Sequence, residues 1–396
     1  MVAGTLATTE TVSWGILFYS FSVFLVPMQR DLGWSPAALT GGYSVGLLVS
    51  GIAAPFVGRW FDRHGPRALM TAGSVLGVLL VVAWSGVNDL AAYYAIWAGI
   101  GLAMSATLYE PAFVTLAHWF ERDRGRAILL VTVAAGFAST IFLPLSAWLV
   151  DRLEWRPALL VLAAILAVVT VGPHALLLRR RPEDLGLLPD GGVRASHAIA
   201  ETLRPIRTGV PLRTAVREPA FWWLTTAFFL ETLATVAVGV SLIPYLTERG
   251  DGAGFAAAAT GLVGAAQVGS RVLATIFGGR LSQVALTATV FALQAVALVV
   301  LFGWQERTGV LVAVVLLGAG RGVVTLMRAG LTAELYGRAH YGAINGMLAF
   351  FLTGARALAP IGAGTAYVVL GAYEPLLWMM AATSLLGACA MAGVRR

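Results

Sequence analysis

The sequence contains no lysine, a single cysteine and few charged residues of any kind. All 27 basic residues are therefore arginines, and charged residues make up only 12% of the 396 positions. Hydrophobic residues make up 58%, and the mean hydropathy is +0.81. A soluble protein of this size needs far more polar surface to cover its core. The composition therefore predicts an integral membrane protein.

These absences also exclude several kinds of chemistry. The lone Cys389 permits neither an internal disulfide framework nor a cysteine-based metal site. The chain has no GxxxxGK[ST] motif, which excludes ATP hydrolysis of the P-loop type as the energy source. We find no His/Asp/Glu cluster with metal-ligand spacing and no nucleophile with a base at a plausible distance. The sequence therefore predicts neither an enzyme nor a cofactor.

Apolar runs of about twenty residues, the helical length that crosses a bilayer, recur along the whole chain. They predict an all-α membrane protein with twelve transmembrane helices in two pseudo-symmetric six-helix bundles. The first run continues into a full-length span without a signal-peptide cleavage site. The predicted helices cover residues 8–29, 38–58, 68–87, 91–118, 127–149, 157–178, 220–245, 255–277, 283–303, 309–333, 342–368 and 374–393.

The arginines are distributed unevenly between the predicted loops. With the N-terminus inside, eighteen lie in cytoplasmic loops and tails, and five lie outside. This bias predicts that both termini are cytoplasmic, so the net charge of +7 is a topology signal rather than a nucleic-acid footprint. Because the absence of lysine is typical of GC-rich bacterial genomes, we expect a multi-pass protein of the bacterial cell (inner) membrane.

One long polar stretch begins RRRPEDLGLLPDGG and separates six predicted helices from six. It predicts an N-terminal bundle over 1–178, a cytoplasmic linker over 179–219 and a C-terminal bundle over 220–396. The halves are weakly similar: GIGLAMSATLYEPAF on the fourth helix matches GAGRGVVTLMRAGL on the tenth, and GFASTIFLP matches LTGARALAP. Such a repeat is typical of secondary transporters.

The loop between the second and third predicted helices reads GRWFDRHGPRALM. Its Gly58, Asp62, Arg63, Gly65 and Arg67 resemble the helix 2–3 signature of the major facilitator superfamily. Gly65 permits a tight turn, and Asp62 at a helix end is placed to pair with an arginine and to accept backbone hydrogen bonds. The resemblance implies a latch that holds the cytoplasmic ends of the halves together. An ordinary basic loop is the alternative.

The second-half counterpart, GGRLSQ at 278–283, lacks the acid. Two features are similar to the monocarboxylate transporter and oxalate:formate antiporter branch: the linker start, and intramembrane cations on helices 8 and 11, here Arg271 and Arg356. In that branch helix 8 often carries an acid four residues before the arginine, and the oxalate antiporters carry a lysine on helix 11. Here Gln267, which carries no proton, replaces the acid, and Arg356 takes the place of the lysine.

Charged side chains inside a span are costly and mark functional sites. Each guanidinium of Arg271 and Arg356 matches a carboxylate through two parallel hydrogen bonds. The pair therefore predicts a small organic anion, a mono- or dicarboxylate, as substrate. Gln267, Tyr109 and Tyr19 are further candidate contacts. Permanent pairing of the arginines with protein groups, and simple packing of the tyrosines, are the alternatives.

Two more arginines inside a span, Arg321 and Arg328, lie two turns apart on the tenth predicted helix. The internal repeat places Glu110 at a depth similar to that of Arg328. A salt bridge between them predicts a gate or a proton-sensitive switch, with a purely structural pair as the alternative. Arg321 with Glu231 is a second candidate pair.

Together these features predict a secondary active transporter that moves a small organic anion by alternating access, coupled to protons or by exchange. The alternative is a proton-coupled antiporter for multidrug or metabolite efflux, with Glu110 or Glu231 in the cavity. Four arginines against two or three acids within the spans disfavour a cationic substrate. We expect a monomer whose partners are the anion, protons and the lipid bilayer, with no nucleic acid.

Overall fold

The computed structural model describes residues 1–191, 209–277, 282–337 and 339–394. Within these ranges the chain is almost entirely helical, and the strand-like pairing consists of one isolated bridge between Gly209 and Gly337. Residues 192–208 of the predicted linker and residues 278–281 of the GGRLSQ segment lie outside the described residues.

Twelve long helices follow one another along the described chain. Among the described residues, all of them except α8 are long and apolar enough to cross a membrane. Each predicted span coincides with one helix. The helices are α1 (Val2–Leu32), α2 (Pro36–His64), α3 (Pro66–Ser85), α4 (Leu90–Trp119), α5 (Arg124–Leu153), α6 (Trp155–Leu176), α7 (Pro219–Glu248), α8 (Ala253–Phe277), α9 (Gln283–Gly303), α10 (Arg307–Tyr336), α11 (Tyr341–Leu370) and α12 (Tyr373–Met391).

Local sequence explains where α2 ends and α3 begins. The Ser35 side chain accepts a hydrogen bond from the backbone N–H of Ala38 at 3.1 Å, which caps the start of α2. Gly65 ends α2 with φ +79°, a left-handed conformation that favours glycine. Pro66 then opens α3, where its missing N–H costs nothing. The signature loop is therefore as tight as the sequence predicts.

Several helices depart from regular geometry near the middle, among them α1 and α4. In α1, residues Trp14–Tyr19 form a π-helical segment, a feature frequent at functional sites. In α4, Leu108 has φ −87° and ψ −161°, outside the helical region. Pro111, which has no N–H to donate one turn back, follows this break. Glu110 is consequently placed in the first turn of the second half of α4.

The helices pack closely through small residues. A Cβ on Gly101 of α4 would lie 2.0 Å from the carbonyl oxygen of Gly46 on α2, so the two backbones touch. Close approach of this kind drives helix association in bilayers, where lipid tails are as apolar as the side chains. Trp84 and Trp97 are buried in the apolar core around this crossing.

Contacts divide the chain into two compact units. The first comprises Met1–Val210 and Tyr336–Phe350, and the second Pro211–Leu335 and Phe351–Arg396. Each has its own apolar core. The start of α11 is grouped with the first unit because its contacts are with α2 and α4, as described below.

Candidate functional site

An aromatic cluster surrounds the break in α4. The ring of Trp14 on α1 lies 4.8 Å, centroid to centroid, from Tyr109 and 6.3 Å from Tyr19. Tyr109 also stacks on Phe113 at 5.2 Å. Tyr109 and Tyr19, the two predicted substrate contacts, are therefore partly buried and lie next to the same tryptophan. Contact of their hydroxyl groups with substrate stays a prediction.

Glu110 is held beside this cluster by α11. Its Oε2 accepts a hydrogen bond from the side-chain amide of Asn345, which is fully buried. The start of a helical segment also favours a negative charge. Arg328, the predicted partner, is a buried residue of the second unit, so the Glu110–Arg328 pair stays a prediction.

A second carboxyl group in the first unit, that of Glu10 on α1, is 0% exposed. Trp14 and Glu110 are the polar and charged neighbours that act on it. Ionising a carboxyl group at such a place is costly. The first unit therefore has two acids in mutual electrostatic contact near the aromatic cluster.

Asp62, the acid of the signature loop, contacts the first turn of α11. Its Oδ1 accepts a hydrogen bond from the backbone N–H of Gly342, and its Oδ2 accepts one from Ala343, both at 2.9 Å. These N–H groups have no partner within their own helix. A carboxylate at a helix N-terminus is also stabilised by the helix dipole.

Close backbone packing accompanies this contact. A Cβ on Gly58 would lie 2.0 Å from the carbonyl oxygen of Gly342, and one on Gly346 would lie 2.4 Å from that of Ala54. Both helices thus present small residues four positions apart, the spacing that lets two helices cross closely. Glycine is required at position 58 because any side chain would meet backbone.

The remaining signature residues surround the turn. The side chain of Arg180 occupies the space next to Gly65, where a Cβ would lie 2.5 Å from its Cγ. Arg63 and Arg67 are exposed. The start of the predicted linker therefore packs on the signature loop, and the part of the two arginines in a latch stays a prediction.

The predicted linker also holds the loop between α4 and α5. The Asp190 carboxylate accepts hydrogen bonds from the backbone N–H groups of Glu121, Arg122 and Asp123 at 3.0–3.2 Å. Partial burial alone would raise the pKa of Asp190. The backbone hydrogen bonds and the charge of Arg122 outweigh that effect, so the pKa lies below its ordinary value.

The second unit contains a cavity of about 160 Å³ between α7, α8, α9 and α10. Its polar wall combines one guanidinium, two amides and two hydroxyl groups, and the rest of the wall is apolar. The polar residues are Arg321, Gln267, Gln294, Thr235 and Thr260, and the others are Val238, Gly239, Leu242, Val263, Gly264 and Leu317.

Small residues leave room for the polar groups of this cavity. A Cβ on Gly239 of α7 would lie 3.5 Å from Nη1 of Arg321, an ordinary van der Waals distance, so the guanidinium lies near this glycine. A Cβ on Gly320 would lie 2.9 Å from the amide nitrogen of Gln294. The amide of Gln294 therefore occupies space that a side chain at position 320 would need.

Glu231 of α7 lies beside this cavity. Its side chain is 1% exposed, and its polar neighbours are Ser384 on α12 and Gln294 on α9. Arg321 acts on it electrostatically. Because Gln294 both lines the cavity and adjoins Glu231, the carboxyl group is one side chain away from the cavity space. The second predicted pair, Glu231 and Arg321, is thus brought together within one unit.

Arg271, the first predicted substrate arginine, is 5% exposed on α8. It follows Gln267 by one helical turn on the same helix face. In the described part of the chain, the cavity wall includes Gln267 but not Arg271. Arg271 is therefore one turn away from the cavity.

Arg356, the second predicted substrate arginine, is an exposed residue of α11. An exposed apolar stripe of this part of α11 includes Leu358, Ile361 and Val368. At about 100° per residue, Arg356 lies roughly 150° around the helix from that stripe. Arg356 therefore lies on the opposite side of the helix from this stripe.

A sequence model of the Major Facilitator Superfamily matches residues 11–360. The chain belongs to the Major Facilitator Superfamily. Membership confirms the resemblance that the signature loop indicates, and it makes the chain a multi-pass membrane transporter rather than an enzyme.

Several curated proteins are similar to this chain in sequence. A 38 kDa protein of Thermoproteus tenax is 26% identical over 96% of this chain and 91% of its own length. Monocarboxylate transporter 13 of Bos taurus is 31% identical over 55% of this chain and 49% of its own. The oxalate:formate antiporter of Oxalobacter formigenes is 26% identical over 60% of this chain and 53% of its own length. The chain thus spans about half the length of the two named transporters.

Two solved superfamily structures share the fold. The human organic anion transporter MFSD10 (TETRAN) has a TM-score of 0.72 at 16% identity and covers 98% of both chains. A variant of the E. coli fucose:proton symporter FucP has a TM-score of 0.72 at 15% identity and covers 99% of this chain and 98% of its own. The predicted twelve-helix major facilitator fold is therefore confirmed.

Proposed function

We propose that this superfamily member is a secondary active transporter for a small organic anion, a mono- or dicarboxylate. The observation that carries the proposal is the cavity of the second unit, whose wall combines Arg321 with two amide and two hydroxyl side chains. A guanidinium binds a carboxylate through two parallel N–H donors. In this proposal the amides of Gln267 and Gln294, which line the same cavity, donate hydrogen bonds to the remaining oxygens of the substrate.

The size and charge of the cavity support this substrate class. A cavity of about 150 Å³ holds benzene, a molecule of six heavy atoms, whereas drug-sized sites measure about 300–1,000 Å³. The volume of about 160 Å³ therefore suits an acid of a few carbons rather than a multidrug cargo. A cation would also meet Arg321, which disfavours the efflux alternative.

The similar proteins support the same class. One is named for monocarboxylates and the other for oxalate and formate, and both are 26–31% identical to this chain over about half of it. We infer that Arg271 and Arg356 attract the anion to the cavity or hold it along its path. Arg271 lies one turn from the cavity residue Gln267, and Arg356 lies on the opposite side of α11 from its apolar stripe.

The contacts of the signature loop suggest how access is controlled. We propose that the Asp62 contact with the first turn of α11 forms in one state of the transport cycle and breaks in another. In this proposal Arg63 and Arg67 contribute to the latch, and Glu110, with Asn345 or Arg328, forms a second gate. The bundle division at the linker, cytoplasmic termini, a bacterial inner membrane and a monomeric state belong to the same proposal.

Thermal unfolding of the purified protein in detergent tests the substrate class. Formate, acetate, lactate, pyruvate and oxalate are added in increasing concentration. A ligand that binds only the native state stabilises it by about 2.7 kcal/mol at a hundredfold excess over its Kd. We expect at least one of these acids to raise the midpoint, and Arg321→Gln to abolish the shift.

The matched control is Arg307→Gln, which removes an exposed arginine from the start of the same helix. It should leave the shift unchanged. Stabilisation by cationic or lipophilic compounds, with no response to any acid, would replace the carboxylate proposal by the efflux alternative.

A further inference from the structure

The end of the predicted linker forms a compact turn in front of α7. Leu212–Ala215 make one helical turn, and backbone hydrogen bonds continue it as far as Glu218. Pro219 then opens α7. This turn belongs to the second unit and takes no part in the function proposed above. Its exposed side chains therefore call for a separate explanation.

Two arginines lie on the outer face of this turn. Arg213 and Arg217 are exposed and four positions apart, so they are neighbours on one face of the helical turn. Ala215, between them, is 0% exposed, which shows that the opposite face packs on the protein. Within the described residues, neither guanidinium has an ion-pair partner. Glu218 is the one acid of the turn, so the turn keeps a net positive charge.

Two tryptophans follow the arginines at the start of α7. Trp222 and Trp223 are each 47% exposed. The Nε1 of Trp222 donates a hydrogen bond to the carbonyl oxygen of Val216 at 2.8 Å, and its ring lies 5.5 Å, centroid to centroid, from that of Phe351. Trp223 packs against Gly393, where a Cβ would lie 2.5 Å from its ring. Each indole is therefore fixed on one side and exposed on the other.

The position of these residues along α7 places them at the edge of a membrane. The 30 residues of α7 span about 45 Å, the thickness of a bilayer with its headgroups. The first turn of α7 then lies where hydrocarbon gives way to headgroups, the depth at which tryptophan is enriched. Arg213 and Arg217, which precede this turn, lie at the depth of the lipid phosphates.

We propose that Arg213 and Arg217 bind the phosphate of an acidic phospholipid such as phosphatidylglycerol, with Trp222 and Trp223 against its glycerol backbone and upper acyl chains. A guanidinium matches phosphate oxygens through parallel N–H donors. Charge complementarity selects an acidic lipid, because the headgroup of phosphatidylcholine adds a positive charge beside the two arginines. The bound lipid holds the end of the linker at the membrane surface, whatever the transported substrate is.

Native mass spectrometry of the detergent-purified protein tests the proposal. The protein is titrated with phosphatidylglycerol and with phosphatidylcholine of the same acyl chains. An arginine near an acidic lipid strengthens the attraction roughly fivefold, so Arg213→Gln combined with Arg217→Gln should weaken phosphatidylglycerol binding at this site by about twentyfold. Binding of phosphatidylcholine should not change. Arg213→Lys combined with Arg217→Lys keeps both charges and should retain most of the phosphatidylglycerol binding.

The matched control is Arg122→Gln combined with Arg126→Gln. These arginines have the same spacing, and their side chains are 84% and 80% exposed, but both pair with Asp123. The neighbouring Trp119 is only 8% exposed, so this pair lacks an exposed indole. The control removes the same charge and should bind phosphatidylglycerol as the wild type does.

Hydrogen exchange in nanodiscs provides a readout within a bilayer. The backbone amides of residues 213–218 should exchange more slowly in nanodiscs that contain phosphatidylglycerol than in nanodiscs of phosphatidylcholine alone. The difference should shrink in high salt, which screens exposed charges. It should be absent in the variant with both glutamines at 213 and 217.

Three results would overturn the proposal. The first is equal affinity of the wild type for the two lipids. The second is an unchanged affinity for phosphatidylglycerol in the variant with glutamines at 213 and 217, or the same loss in the control at 122 and 126. The third is displacement of the lipid by inorganic phosphate but not by chloride of equal ionic strength, which would identify a site for free phosphate instead.

Discussion

The carboxylate of Asp62 on α2 caps the start of α11 through the backbone N–H of Gly342, a residue 280 positions later, at 2.9 Å. A second hydrogen bond of the same length reaches Ala343. Two of the four N–H groups that a helix leaves unsatisfied at its start are thus satisfied by one side chain. Because both bonds exist only while the two helix ends are adjacent, they stabilise that arrangement selectively.

Replacement of Asp62 by asparagine should loosen the first turn of α11. Asparagine keeps one acceptor oxygen but loses the negative charge. A hydrogen bond to a charged group contributes about 1.5–3 kcal/mol to stability, whereas a neutral one contributes about 0.5–1.5 kcal/mol. A loss of about 1 kcal/mol corresponds to roughly fivefold faster local opening. Hydrogen exchange of the amides at the start of α11 measures this rate.

The control for that variant is Asp89→Asn. Asp89 accepts a hydrogen bond from the backbone N–H of Ala92 at 2.7 Å and caps α4 in the ordinary way, within one helix. Its replacement should speed exchange at the start of α4 only. Unchanged exchange in α11 of Asp62→Asn would show that the aspartate contact is energetically neutral.

Gly58→Ala should destabilise the protein, although alanine ordinarily favours a helix. The new Cβ would lie 2.0 Å from the Gly342 carbonyl oxygen, which belongs to backbone and has no side-chain freedom to move aside. Overpacking of this kind costs about 1–3 kcal/mol. Gly172→Ala is the control, because a Cβ there meets nothing within 4 Å. A thermal midpoint of Gly58→Ala at or above that of Gly172→Ala would contradict the close crossing.

The apolar runs were sufficient to predict all twelve helices, because length and hydropathy determine a span. The same runs did not predict the residues at which the helices begin and end. The first helix was predicted over 8–29, whereas α1 covers Val2–Leu32. A helix that continues beyond the hydrocarbon depends on caps and on packing against neighbours, and neither is visible in hydropathy.

The residues of the candidate site were likewise predicted only in part. Glu231 and Arg321 were singled out from sequence because charges within spans are rare; Arg321 lines the cavity and acts electrostatically on Glu231, and the role of both stays a prediction. Gln294 and Asn345 were missed. An amide in an apolar span is a weaker signal, since it can bond across any helix pair, and only the fold shows which partner it meets.

The hydrogen bonds to Asp190 should make the anchorage of the linker start depend on pH. The pKa of this group is lowered in the folded protein, so its stabilising contribution is fully present above the ordinary aspartate value of about 3.9 and is lost as the pH falls through the lower, folded value. Exchange at the amides of Glu121–Asp123, corrected for intrinsic rates, should therefore stay constant from pH 8 to about pH 5 and accelerate only below about pH 4.

Asp190→Asn provides the comparison for this pH profile. Asp190 has φ +62°, a left-handed conformation that asparagine also tolerates, so the variant removes the charge without adding backbone strain. It should show faster exchange at these three amides already at neutral pH, together with a flat profile down to acidic pH. A wild-type profile that accelerates near pH 6 would mean that another group holds the loop.

The cavity itself is tested by one added methyl group. A Cβ on Gly264 of α8 meets nothing within 4 Å and projects from a residue of the cavity wall, so Gly264→Ala should reduce the space beside Arg321 without disturbing packing. One methylene in a tight pocket is worth about tenfold or more in discrimination. We therefore expect weaker binding of lactate or pyruvate with little change for formate, measured by calorimetry.

Gly261→Ala, one turn earlier and equally open, lies outside the described wall and should bind all three acids as the wild type does. Equal loss of formate and lactate binding in Gly264→Ala would indicate a distortion of α8 rather than a smaller cavity, and unchanged binding of every acid would place the substrate elsewhere.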